Sequence, residues 1–222
     1  MKHAAYRRTV LELSLELSRR GYFAATGGNI AVRIDAQMMA VTPSATDYLT
    51  MSAADVCVLR IADLQQVDGE RTPTVESSLH ARVLQARPDV HASIHTHQPT
   101  ASACALLGRE LPVPPELQRS LGTRIPVAGY APSGSAWLSA KVARLLRPDI
   151  NAYLMLNHGV LCCGTDAQAG MQVVEDLETL ACTHLRAQIA ARAARDPSLS
   201  HALALVAEAL LAPSSPNLQD HP

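Results

Sequence analysis

The chain has 222 residues, of which 48% are hydrophobic and 18% are charged, and its formal net charge is −1. This length and apolar content are typical of one globular domain with a single core, whereas the near-neutral charge excludes a nucleic-acid-binding protein, which needs a basic face for phosphates. No apolar run approaches the roughly 20 residues of a membrane-spanning helix, so we expect neither a nucleic acid nor a membrane as a partner.

The N-terminal segment and the cysteines indicate a reducing compartment. Charged residues are interspersed with apolar ones over residues 1–20, as in an amphipathic helix and unlike the apolar core of an export signal. The five cysteines lie at positions 57, 104, 162, 163 and 182 and include no C-x-x-C pair. They predict neither a disulfide framework nor a thiolate zinc site, and we expect a cytoplasmic protein.

In the first half of the chain, apolar spacing predicts two helices separated by three strands. Gly21 ends the first helix, and alternating apolar and polar residues after a glycine-rich turn predict a β-hairpin. A polar segment through Asp68-Gly69 is predicted to be a loop. In chain order the elements are a helix at 4–20, strands at 29–34, 38–42 and 56–61, and a helix at 76–86.

The second half of the chain alternates further strands and helices. Ser133 and Asp166 are predicted as the N-caps of two of these helices, and a Pro-rich segment at 112–115 is predicted to be irregular. In chain order the elements are a strand at 90–95, a helix at 99–107, a strand at 125–128, a helix at 135–146, strands at 152–156 and 160–163, and helices at 166–195 and 199–211.

The order of these elements predicts the fold class. Strands and helices are interspersed, but several strands are joined by hairpins, which favours an α/β fold: a three-layer α/β/α single domain with a mixed, mainly antiparallel central sheet. We place this domain at residues 1–212. The polar tail at 213–222, rich in Pro and Ser, is predicted to be disordered.

Two histidines at the end of the strand at 90–95 form a candidate metal site. His95 and His97 are two residues apart, so on a β-strand both imidazoles point to the same face and can reach one ion at zinc-like distances of about 2 Å. The alternative interpretation is that they are ordinary polar residues where a strand ends. Spacing alone leaves both interpretations open.

A metal site of this kind needs a third ligand. His158 lies in Asn157-His158-Gly159 between two apolar strands, where a solvent-facing histidine is unexpected. His91 shares a strand face with His95 but lies about 13 Å away along it. His80, one helical turn after Glu76, could be a group that supports the ligands or a plain surface residue, and we expect the latter. By elimination, His158 is the best third candidate, with a plain turn residue as the alternative.

The same segments resemble the motifs of the class II aldolase/adducin family, which contains L-fuculose-phosphate aldolase, L-ribulose-5-phosphate 4-epimerase and methylthioribulose-phosphate dehydratase. The resemblance runs from about residue 7 to residue 190, and its motifs follow the family's order. These motifs are Thr26-Gly27-Gly28-Asn29 with Val32-Arg33, Val41-Thr42-Pro43-Ser44, Pro73-Thr74-Val75-Glu76, His95-Thr96-His97 and Asn157-His158-Gly159.

The resemblance implies a metal-dependent lyase of the aldolase type and a homotetrameric assembly. In such an enzyme, His95, His97 and His158 hold zinc (Zn2+), with Co2+ or Mn2+ as alternatives. The ion stabilises the enediolate formed when a small hydroxy-ketone or sugar phosphate is cleaved. Glu76 is implied to be the catalytic base, and a fourth ligand when no substrate is bound. The implied substrate contacts are Gly28, Asn29, Ser44 and Thr74.

Three positions depart from the family pattern. Ala45 stands where a glycine is usual, Val75 where a serine is usual, and Glu116 where the aldolases use a tyrosine. A metal-dependent decarboxylase of a keto acid and a 4-epimerase are the alternatives on the same scaffold, because they share the metal ligands. The lost hydroxyl donor for a phosphate at Val75 and the missing tyrosine favour the decarboxylase of these two. A second alternative is a non-enzymatic, adducin-like assembly module, which retention of the three histidines disfavours.

Overall fold

The computed structural model describes residues 2–23 and 27–210. The tail predicted at 213–222 lies outside these residues, as do positions 211 and 212 of the predicted domain and Thr26 of the first glycine-rich motif. The helices are α1 (Ala4–Arg19), α2 (Ser77–Ala86), α3 (Pro99–Leu106), α4 (Gln118–Leu121), α5 (Ala136–Ala143), α6 (Ala167–Arg195) and α7 (Ser200–Ala209). The strands are β1 (Asn29–Arg33), β2 (Met38–Val41), β3 (Cys57–Arg60), β4 (Gln66–Asp68), β5 (Ala92–Thr96), β6 (Leu111–Pro112), β7 (Arg124–Ile125), β8 (Val127–Ala128), β9 (Ala152–Met155) and β10 (Gly159–Gly164).

Eight of the strands form one sheet in the order β4-β3-β2-β1-β5-β10-β9-β8. Every neighbouring pair is antiparallel except β8 and β9, which run parallel. The strands β6 and β7 form a separate antiparallel pair. Short turns join β1 to β2 and β3 to β4, and such turns connect antiparallel strands.

Helices cover both faces of this sheet. On one face α1, α3 and α6 bury apolar side chains such as Leu17 and Leu177 against Ile30 and Ile94. On the other face, α2 buries Leu79 and Val83, and α5 buries Leu138 and Val142. They pack against the strand side chains that point to this second face of the sheet. The predicted three-layer α/β/α fold with a mixed, mainly antiparallel sheet is therefore confirmed.

Three local predictions were wrong. The strand predicted at 125–128 is split at Pro126 into β7 and β8, which belong to different sheets, since proline has no N–H for a continuous ladder. The loop predicted around Asp68 contains the short edge strand β4. The N-cap of α5 is Ser135, whose hydroxyl accepts from Leu138 N at 3.2 Å, and Ser133 lies outside the helix.

The longest helix, α6, begins at the predicted N-cap. The carboxylate of Asp166 accepts a hydrogen bond from Ala169 N at 2.7 Å. Its buried side chains end at Ala181, so the C-terminal half of the helix extends beyond the core. Over residues 2–23 and 27–210, no helix has both the length and the apolar character to cross a bilayer.

Candidate metal centre

The three candidate histidines meet where β5 ends beside the β9–β10 turn. Register pairs Leu161 with His95 and Val160 with Thr96, so the turn that precedes β10 lies next to the end of β5. Asn157 in this turn has a left-handed backbone with φ 55°, a conformation that asparagine tolerates better than most residues. The ring of His158 consequently stacks on that of His95, with centroids 4.8 Å apart.

The ring nitrogens of these histidines have the spacing that a metal ion requires. One nitrogen from each of His95, His97 and His158 lies within 4.8 Å of the other two, and the Nε2 atoms of His95 and His97 are 3.1 Å apart. Two tetrahedral zinc ligands at roughly 2.0–2.1 Å from the ion are about 3.3–3.4 Å from each other. The His95–His97 separation of 3.1 Å is close to this value.

A buried nitrogen in the cluster has no hydrogen-bond partner among the described residues. It is Nε2 of His158, which lies 2.9 Å from Glu76 Oε1 without the angle of a hydrogen bond. An unpaired buried polar atom is unfavourable unless something outside the protein satisfies it. A cation bound between the three rings fits this requirement.

Hydrogen bonding and burial prepare the imidazoles as ligands. The Nδ1–H of His95 donates to Val160 O at 2.8 Å, which leaves Nε2 with its lone pair facing the cluster. Burial lowers the pKa of His95 to about 3 and also lowers the pKa of His97. Both rings are therefore neutral at neutral pH, the form that binds a metal.

Glu76 faces the three histidines from the N-terminus of α2. Its side chain is 2% exposed. The Oε2 atom accepts from Asn29 Nδ2 at 2.9 Å and lies 3.3 Å from His95 Nε2, while Oε1 accepts from Ser133 Oγ at 3.0 Å. Burial raises the pKa of the Glu76 carboxyl, but His158, His95 and Asn29 together outweigh it and hold that pKa well below its usual range. The group is therefore an ionised carboxylate in a water-poor position.

A cavity of about 210 Å³ opens in front of Glu76 and the histidines. The four residues predicted to contact substrate all line it, so the fold brings the sequence-predicted site residues together; they are Gly28, Asn29, Ser44 and Thr74. Ala45 also lines the cavity and adopts a left-handed backbone with φ 48°. Glycine adopts this conformation without the steric penalty of a Cβ atom.

Comparison with known proteins identifies the family. The sequence profile described as "Class II Aldolase and Adducin N-terminal domain" matches residues 8–185. The chain belongs to this family. Class II aldolases are metal-dependent, and the cluster of His95, His97 and His158 is the candidate ion site in this member.

Relatives with stated activities match most of the chain. A 5-deoxy-D-ribulose 1-phosphate aldolase of Bacillus thuringiensis is 31% identical over 173 residues, which is 78% of this chain and 80% of the relative. L-fuculose phosphate aldolase of Escherichia coli is 28% identical over 179 residues, covering 80% and 81% of the two chains. A solved structure of an L-fuculose 1-phosphate aldolase superposes with a TM-score of 0.78 at 29% identity, covering 85% of this chain and 88% of that one.

The favoured sequence interpretations of two side chains near this aldolase-family site were wrong. His80 was expected at the surface, and that prediction was wrong: it is fully buried, with its ring nitrogens 2.7 Å from Ser93 Oγ and 2.7 Å from Asn29 Oδ1. Ser133, predicted as an N-cap, instead donates to Glu76. The spacing of His80 four residues after Glu76, on the same helix face, was the one available signal.

Glu116 lies away from the candidate metal centre of this family member. It is exposed in a single turn of 3-10 helix at Pro115–Leu117, and it lines a different cavity together with Arg119 and Asp176. Within the described chain, therefore, Glu116 does not reach the site that contains Glu76.

Gly159 permits the close approach of the β9–β10 turn to β5. A Cβ atom at this position would lie 2.6 Å from Thr96 O and 2.7 Å from His97 Cδ2. We expect Gly159→Ala to lower the free energy of unfolding by about 1–3 kcal/mol, as overpacking does. Gly129→Ala is the matched control, because its Cβ would meet only Lys141 Nζ at 3.6 Å. Urea unfolding of both variants checks this, and equal stability of the two would contradict it.

Proposed function

We propose that the protein is a metal-dependent carbon–carbon lyase that cleaves a ketose 1-phosphate in a retro-aldol reaction. The observation that carries this proposal is the convergence of three histidine ring nitrogens on the buried carboxylate of Glu76 in one cavity. Membership of the class II aldolase family supports it. So do relatives named as aldolases of 5-deoxy-D-ribulose 1-phosphate and L-fuculose phosphate.

The proposed ligands of the ion are His95, His97 and His158. Zinc suits a site of three neutral imidazoles, and Co2+ or Mn2+ are the alternatives. When bound, the ion would act as a Lewis acid toward the carbonyl and the adjacent hydroxyl of the substrate, because neutral ligands leave its charge uncompensated.

Glu76 is the proposed proton carrier of the reaction. In retro-aldol cleavage a proton leaves the hydroxyl on the carbon that becomes an aldehyde. The electron pair of the broken C–C bond stays on the ketone fragment, and a proton is delivered to that carbon. An ionised carboxylate with 2% exposure, held by donors from Asn29 and Ser133, is suited to exchange that proton. Without substrate, Glu76 is the proposed fourth ligand.

The proposed substrate contacts are Gly28, Asn29, Ser44 and Thr74. The hydroxyl groups of Ser44 and Thr74 belong to loops that meet where Thr74 N donates to Thr42 O at 3.0 Å and Ser44 N donates to Thr72 O at 2.8 Å. The hydroxyl groups of such small residues are donors that suit a phosphate group. We therefore propose that this end of the cavity binds the phosphate of the ketose.

One observation favours a second candidate function. Val75 lines the cavity with a side chain that is 63% exposed, so an apolar group stands beside the proposed anion contacts. A smaller anion such as the carboxylate of a keto acid fits this environment. The second candidate is therefore a decarboxylase that uses the same ligands and Glu76.

A substrate screen tests the proposal. Purified protein reconstituted with zinc is assayed on 5-deoxyribulose 1-phosphate and fuculose 1-phosphate, on the dephosphorylated ketoses and on keto acids. We expect dihydroxyacetone phosphate to be released from the ketose phosphates, because cleavage of the bond between the third and fourth carbons leaves the phosphate on the ketone fragment. Release of carbon dioxide alone would favour the decarboxylase, and no turnover of any compound would overturn both functions.

The proposed assembly and location are those expected from the family resemblance. We propose a cytoplasmic homotetramer with sites near subunit boundaries. The exposure of Trp137 (73%) and Tyr130 (55%) close to the segment that carries Ser133 supports a contact surface there. Sedimentation velocity checks the tetramer, and a monomer at assay concentration would contradict it.

A further inference from the structure

Four buried side chains form a chain of hydrogen bonds that begins in the cavity lining, at Glu76 and Asn29, and continues to His80 and Ser93. Ser93 Oγ lies 2.7 Å from His80 Nδ1, and His80 Nε2 lies 2.7 Å from Asn29 Oδ1. At the cavity end of the chain, Asn29 Nδ2 donates to Glu76 Oε2 at 2.9 Å. Ser93 and His80 are each 0% exposed, so water does not compete for these hydrogen bonds.

The orientation of the Asn29 amide fixes the direction of the hydrogen bonds in this chain. Its NH2 group donates to Glu76 Oε2, so its Oδ1, which can only accept, faces His80 Nε2 at 2.7 Å. His80 Nε2 must then carry a proton. Since burial lowers the pKa of His80 to about 4, the ring is neutral at neutral pH, and its Nδ1 accepts from the hydroxyl of Ser93.

The fold holds the members of this chain on three different elements. His80 follows Glu76 by one helical turn in α2, and His80 N donates to Glu76 O at 3.3 Å. Asn29 on β1 is paired in register with His95 on β5, and Ser93 lies two residues before His95 on the same sheet face. The four side chains therefore link the helix that carries Glu76 to the strand that carries the first histidine.

We propose that His80 is a positioning residue for Glu76: its Nε2–H holds the Asn29 amide in the orientation that donates to the carboxylate. Without this bond the amide is free to rotate and present its oxygen to Glu76, which would repel the carboxylate and displace it from the histidines. The inference rests on the proposed function only where it assigns Glu76 a role in the reaction. The orientation of the Asn29 amide does not depend on that function.

Two variants of His80 separate positioning from packing. The side-chain nitrogen of glutamine reaches the place of imidazole Nε2, whereas that of asparagine reaches only the place of Nδ1. We expect His80→Gln to keep kcat within about 3-fold of the wild type, and His80→Asn to lower kcat by about 10- to 100-fold with KM nearly unchanged, as for other groups that orient catalytic residues. Equal kcat in the two variants, whether high or low, would overturn the proposal.

A measurement on the metal-free wild-type protein tests the same inference without turnover. Nitrogen-15 NMR of the histidine rings distinguishes the two neutral tautomers, and loss of one ring's signals in His80→Gln assigns His80. We expect His80 to be neutral with its proton on Nε2. A proton on Nδ1, or a charged ring at neutral pH, would overturn the proposal. If the wild type cleaves no ketose, the proposed function fails while this spectrum still decides the role of His80.

Discussion

Replacing Glu76 with glutamine is expected to lower kcat by about 10²- to 10⁴-fold, the usual contribution of a positioned proton-transfer group. Glutamine keeps the size of the side chain and can still contact Asn29 and Ser133, but its amide cannot accept a proton. Because three histidines remain, we expect the variant to retain one ion per chain. Steady-state kinetics and elemental analysis of the same preparation measure the two effects together.

The control for this variant is Glu110→Gln. Glu110 is a half-exposed carboxylate paired with Arg124 at 3.1 Å, and it lies outside the cavity. Its kcat should equal that of the wild type, since exposed ion pairs contribute little. Full activity in Glu76→Gln would remove Glu76 as the proton carrier, and loss of the ion in that variant would instead make Glu76 an indispensable ligand.

Removing the imidazole of His158 is expected to have the second large effect, on metal affinity. Changing a group that only orients a ligand weakens metal binding by about 10- to 100-fold, so loss of a ligand itself should weaken it by at least about 100-fold. The stabilisation that zinc gives the wild type should shrink accordingly, because a ligand at 100 times its Kd adds about 2.7 kcal/mol. Zinc-dependent shifts in melting temperature check this for His158→Ala.

His91→Ala is the matched control for the loss of a histidine. His91 is exposed and directly precedes β5, the strand that carries His95, yet it is not part of the cluster of ring nitrogens. We expect this variant to show the full zinc-dependent stabilisation of the wild type. A zinc response in His158→Ala equal to that of His91→Ala would contradict the assignment of His158 as a ligand.

The parts of the site that depend on local spacing were predictable from the sequence. His95 and His97 share a strand face because strand periodicity is two, and a glycine after His158 indicates a tight turn. The hairpin of β1 and β2 was also predictable from local sequence, because its register depends on a short turn. The ordered motifs then implied that His158 and Glu76 join the pair.

The remaining parts depend on contacts between distant segments. Ser133 reaches Glu76 across 57 positions of the chain, and that contact depends on how the segment before α5 packs over α2. The burial of His80 depends on α2 lying against β1 and β5, because a polar residue on an amphipathic helix has no local signature of burial. The parallel pairing of β8 with β9 likewise requires a crossover through α5, which no turn signal predicts.

The central claim, that an ion held by His95, His97 and His158 is required for cleavage, is tested most directly by restoring zinc to metal-free protein. Protein stripped with a chelator is titrated with zinc while cleavage of a ketose 1-phosphate is followed. The proposed mechanism predicts no turnover at the start, a linear rise, and a plateau at one ion per chain. Full turnover by the metal-free protein would contradict it.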